Sequence, residues 1–144
     1  MLAALFLAGS LGTGVELVLL EHLEDAWQWV PVVLLAAGCP AILWMVVRPG
    51  PLAVTLFRVL MVLFLAAGVI GISLHYGGNQ EFALELTPDA EGWGLFWEAI
   101  TGATPALSPG AMALLGALGL IVTYRHPGLA PPGHAALGSE GGTR

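Results

Sequence analysis

The chain has 144 residues, of which 57% are hydrophobic and only 10% charged, with a net charge of −6. Soluble globular domains carry about a quarter of charged residues, so that class is excluded. The acidity sits in particular segments rather than over a surface, which argues against nucleic acid as a partner.

Four apolar stretches, 2–20, 26–47, 52–74 and 106–124, each approach the ~20 residues that a helix needs to cross ~30 Å of hydrocarbon. Lipid leaves backbone polar groups unpaired unless the segment is a helix or a closed barrel, and the alternation of barrel strands is absent. The expected fold is therefore an all-α integral membrane protein: an antiparallel four-helix transmembrane bundle over residues 1–126 with a short outer cap from 75 to 103. Span one is read as a retained helix, because Met1 to Phe6 lacks the basic residue of a secretory leader. In it Ala4, Ala8 and Gly12 recur at every fourth position as a stripe for close helix packing, and Glu16 is the next member. Span two carries Trp27, Trp29 and Trp44 at its interfaces and Pro40 inside.

The intervening segments alternate in charge. Residues 21–25 hold Glu21, His22, Glu24 and Asp25, and residues 75–93 hold Glu81, Glu85, Asp89 and Glu91, with no Lys or Arg in either. Arg48, Arg58 and Arg125 fall on the opposite side and read as cytoplasmic anchors, Arg58 by snorkelling to the headgroups. Lys and Arg mark short cytoplasmic loops, so both termini are expected in the cytoplasm of a bacterial cell, with the protein in the plasma (inner) membrane.

Span three follows the Pro49-Gly50-Pro51 turn, and Ala67 and Gly71 form a second small-residue stripe continued by His75. Residues 76–79 read as a turn and 80–86, alternating polar and apolar, as a short strand, with a helix pairing Glu81 and Glu85 as the competitor. Residues 92–102, with Trp93, Phe96 and Trp97, read as a helix in the outer interface. Ser108 and Pro109 supply a cap and a first-turn proline for span four. The tail 127–144, rich in Gly and Pro, reads as disordered, and His126 and His134 as solvated.

No spacing specifies a reaction, so an enzyme is the least favoured class. Glu16 is the intramembrane candidate, because a carboxylate at the centre of a span costs roughly 3 kcal/mol and usually faces a bundle interior. It is expected to bond a neighbouring helix or to bind a proton or cation. His75, Glu81 and Glu85, with His22 or Glu24, could hold Zn²⁺ or Mn²⁺, since neutral imidazole and carboxylate suit both ions. On a continuing helix His22 would point about 120° from Glu16, so those two would not share a site. Haem is not expected, as both outer histidines sit at the membrane boundary and no Cys-x-x-Cys-His occurs. Cys39, alone in the sequence, reads as a packing residue. Two functions follow. One is an accessory or binding protein whose acidic outer face contacts a cation or a protein partner. The other is an oligomeric transporter or channel component that uses Glu16. Beyond the lipid bilayer, the partners expected are further copies of the chain or a larger membrane complex.

Overall fold

A computed structural model describes residues 1–21, 26–104, 106 and 108–129. All regular structure among them is helical: α1 Leu2–Leu19, α2 Trp29–Val47, α3 Pro51–Leu86, α4 Gly92–Thr101 and α5 Gly110–Val122, with short 3-10 turns at Ala26–Gln28 and Pro127–Leu129. Three helices, α1, α3 and the unit Ala26–Val47 that contains α2, are long and apolar enough to cross a membrane. α5 has 13 residues, or about 20 Å at 1.5 Å per residue, short of the ~30 Å of hydrocarbon.

α3 is the central element and packs against α2, α4 and α5, while α1 packs against α2 and α5. Phe6 of α1 is wholly buried and meets Phe57 edge-on at 5.4 Å and Phe64 at 5.9 Å. Gly38 of α2 makes room for both Phe6 and Phe64. These rings, with Ile42, Met45 and Met61, form the apolar core.

The α3–α5 contact is the tightest. A methyl group on Gly68 would come within 2.5 Å of the Ala113 nitrogen, and one on Gly116 within 2.6 Å of the Met61 carbonyl. Gly71 meets Pro109, and Gly119 meets Met61. Partner numbers on α5 fall as those on α3 rise, so the two helices run antiparallel. Small residues of this kind let backbones touch, which is how helices gain packing energy where lipid gives no hydrophobic drive.

Several expectations change. α3 continues through residues 76–86, so neither the turn nor the strand forms. Gly77 and Gly78 each cost about 1 kcal/mol in a helix. That is tolerated because the helix is already nucleated and each further residue adds a hydrogen bond, and because Asn79 and Ala83, one turn apart, are both buried. Ser108 does not cap α5 with its side chain; its carbonyl accepts from the Ala111 N–H instead. After Thr123 the chain leaves the helix in a turn and continues alongside the start of α3. Gly128 lies against Val54 and Gly50, and Leu129 packs on the core, so residues 127–129 are ordered. Residues 130–144, including His134, lie outside the described residues.

Substitutions at two glycines should separate packing from propensity. Gly116→Leu should destabilise the protein by ~1–3 kcal/mol through overpacking. Gly77→Ala, where a methyl group meets nothing within 4 Å, should stabilise it by ~0.5–1 kcal/mol. Thermal unfolding in detergent measures both.

Candidate functional site

The polar groups gather at the two ends of the bundle, with Glu16 set apart on its side. At the arginine end, Arg58 is half-buried and does not reach away from the protein. Its Nη2 donates to the Thr123 carbonyl at 2.6 Å and its Nε to Thr123 Oγ1 at 3.2 Å. Thr123 is the C-cap of α5, where carbonyls lack intrahelical partners and a positive charge is favoured. Snorkelling is therefore replaced by a helix-capping bond. Arg48 ends α2 and Arg125 follows α5, its guanidinium 5.5 Å from the Tyr124 ring. All three arginines thus share one end. His126, also there, is half-buried and accepts from the Gly128 N–H at 3.1 Å, so it is not simply solvated.

At the acidic end, α3 rises past its last apolar turn and α4 packs against it. Asn79 holds them together. Its amide donates to the Ala99 carbonyl at 2.9 Å and to the Thr104 carbonyl at 2.6 Å. Its oxygen accepts from Thr104 Oγ1 at 2.5 Å and from the Thr104 N–H at 3.2 Å. All of its hydrogen-bonding atoms are used in a site where it is 5% exposed, and Gly102 lies against its side chain. Nothing in the spacing around Asn79 announces this role; its neighbours Gly77 and Gly78 point to a turn.

On α4, Trp93 stacks on Phe96 at 4.8 Å and lies 6.4 Å from Trp97, while Phe96 in turn meets Tyr76 of α3 at 6.1 Å. Trp93 and Trp97 are 73% and 56% exposed. They form an exposed aromatic face, and Glu81, Glu85, Asp89, Glu91 and Glu98 of the same end are exposed as well.

The described members of the proposed metal set, His75, Glu81 and Glu85, do not group as a site. His75 is half-buried; Glu81 and Glu85 are exposed. Six positions along one helix turn His75 and Glu81 about 120° apart and separate them by about 9 Å. His22 and Glu24 lie outside the described residues. Among the described residues no three of His, Cys, Asp and Glu group as a metal site.

Glu16 stands on the exposed side of α1, with Ala4, Ala8 and Gly12. The side that packs inward is Phe6, Ser10 and Gly9, the last lying against Leu115. Ala4, Ala8 and Gly12 are thus left exposed, and the Glu16 carboxyl makes no hydrogen bond or ion pair among the described residues, its carbonyl accepting from the Leu20 N–H. Phe6 is level with Phe57 and Phe64, so Glu16 lies about 15 Å further along the axis, out of reach of Arg58. Between α1 and α2 a groove of about 490 Å³ is lined by apolar residues, Cys39 and Ser10. The Ser10 hydroxyl is buried there without a hydrogen-bond partner among the described residues.

No protein-family model, curated protein or solved structure matches this chain. The functional reading therefore rests on these residues alone.

Asn79 offers a direct test of the α3–α4 clamp. Asn79→Ala leaves the Ala99 carbonyl and the Thr104 groups unpaired, at about 2 kcal/mol or more. Hydrogen exchange should accelerate roughly 30-fold over residues 95–104 while the Phe6–Phe57–Phe64 core keeps its protection.

Proposed function

We propose that this is an accessory membrane protein that binds a protein partner through its acidic cap. It sits in the inner membrane as a four-pass antiparallel bundle. Both termini and the arginine end face the cytoplasm, and the α3–α4 cap lies outside. α5, lengthened by the turns at 108–109 and 123–125, makes the fourth pass.

One observation carries this reading: α3 runs 36 residues without a break. At about 54 Å it exceeds the ~45 Å of a whole bilayer with its headgroups. The excess builds a platform that Asn79 makes rigid, and a rigid platform loses little entropy on binding. The platform presents exposed tryptophans, which are enriched at binding hot spots, together with carboxylates and with no Lys or Arg among the described residues of that end. A partner with a basic surface and an apolar pocket matches it. A metal ion is less well served, because His75 turns away from Glu81. A second reading, a channel or transporter component working through Glu16, draws on the position of that carboxyl outside the single bundle; a pathway lined by it would have to form between copies.

Single-cysteine labelling in a Cys39→Ala background tests the orientation. A cysteine at position 86 should react with an impermeant maleimide from the periplasmic side, and one at position 50 only after the membrane is opened. The reverse pattern would overturn the topology.

The cap reading predicts a specific adduct from a photo-crosslinking amino acid at position 97 and none from one at position 62. Glu81→Lys with Glu85→Lys should abolish that adduct without changing the amount of protein. An adduct that survives both charge reversals would refute an electrostatic partner. Calorimetry with Zn²⁺ and Mn²⁺ should show no binding tighter than millimolar; micromolar binding lost in His75→Ala would favour a metal instead.

A further inference from the structure

A hollow of about 220 Å³ opens in the cap between α3 and α4. Phe82, Ala83 and Leu86 line it from the end of α3, Glu98 and Thr101 from the last turn of α4, and Asn79 is also in its wall. Two helices therefore end at one place. Carbonyls at a helix C-terminus lack intrahelical partners and make that end negative, so a cation is favoured there and an acid is not. Neither last turn holds a base. α4 carries Glu98 instead, exposed and with no side-chain hydrogen bond or ion pair among the described residues. For helix stability alone, Glu98 stands at the wrong end.

The side chains of the hollow can accept hydrogen bonds but have no proton left to donate. Both amide protons of Asn79 are spent on the Ala99 and Thr104 carbonyls. The Thr101 hydroxyl donates to the Trp97 carbonyl at 2.8 Å, which leaves its oxygen free to accept. The Glu98 carboxylate can only accept. An anion finds no side-chain donor here, whereas a cation bearing several N–H groups is matched in charge and in bonding.

We propose that the hollow takes one arginine side chain of the protein partner, with its guanidinium on Glu98 and Thr101 and its methylene stem along Ala83 and Leu86. This deepens the reading of the cap as a partner's docking face and rests on it. The volume is below the roughly 300–1,000 Å³ of pockets that hold whole small molecules, and suits a single side chain. A bare metal ion is poorly served, because Phe82, Ala83 and Leu86 bring no side-chain oxygen to it. Arginine is better matched than lysine. Its planar guanidinium carries five N–H donors and stacks on aromatic rings such as that of Phe82, while an ammonium carries three and is more strongly hydrated.

Purified full-length protein in nanodiscs, titrated with acetyl-Gly-Arg-Gly-amide and followed by ligand-observed NMR, tests the hollow. The arginine peptide should bind saturably and more tightly than its lysine counterpart. The citrulline counterpart, of nearly the same shape but neutral, should bind about tenfold more weakly or worse. Glu98→Gln should weaken arginine binding by about tenfold, and Thr101→Val by about fivefold. Glu85→Gln, which removes the same charge outside the hollow, should change it by less than about twofold. Hydrogen exchange over residues 95–104 should stay as in the wild type in all three variants, which separates lost binding from lost folding. No saturable binding, citrulline binding as tight as arginine, or an equal loss in Glu85→Gln would overturn the site. Lysine binding as tight as arginine would overturn the choice of side chain. The adduct at position 97 judges the cap separately. An adduct without arginine binding removes the hollow and keeps the docking face; arginine binding without an adduct keeps the hollow and removes the protein partner.

Discussion

There is no room for a methyl group between α3 and α5, and much of the architecture depends on that fact. With Gly68 against Ala113 and Gly116 against Met61, the helices cannot slide by a residue without forcing a side chain into a backbone. That register brings Arg58 to the end of α5 and so completes the cap on Thr123. At the other end it sets Pro109 on Gly71. The short link from α4 to α5 is thereby held at the level where Asn79 can bond Thr104. One steric constraint thus aligns two polar clamps at opposite ends of α3.

Burial makes such clamps more consequential than they would be at an exposed surface, because a buried group that loses its partner finds no solvent to replace it. The guanidinium of Arg58 and the amide of Asn79 are both spent on main-chain carbonyls. Ser10, buried without a hydrogen-bond partner among the described residues, and Glu16, on the exposed side, both belong to α1. The helix that contributes Phe6 to the core is also the one with unfinished polar business on its flanks.

Hydropathy suffices to find the three long apolar helices, and the grouping of Arg48, Arg58 and Arg125 at one end is legible from their positions alone. Gly71 is also legible as a contact residue, and the helix at 92–101 falls where Trp93 and Trp97 suggest. The stripe on α1 is a different matter. Ala4-Ala8-Gly12 and the small residues around Gly9 follow nearly the same period, and spacing cannot say which line turns inward; the fit of Phe6 between Phe57 and Phe64 decides it. The strand expected at 80–86 fails for a related reason. Alternation over seven residues is a local signal, whereas the burial of Asn79 and Ala83 under α4 is a tertiary one. The partner of Arg58 is 65 positions away, beyond any local pattern.

α3 also joins the two ends mechanically. It carries Arg58 near its start and Asn79 near its finish, with no proline after Pro51 and no break between them. A helix of about 54 Å behaves as a lever: tilting it by about 5° shifts one end against the other by about 5 Å, close to one helical turn. Force applied at the α3–α4 cap is therefore carried toward the Arg58–Thr123 bond by α3 together with α5, which is packed along it.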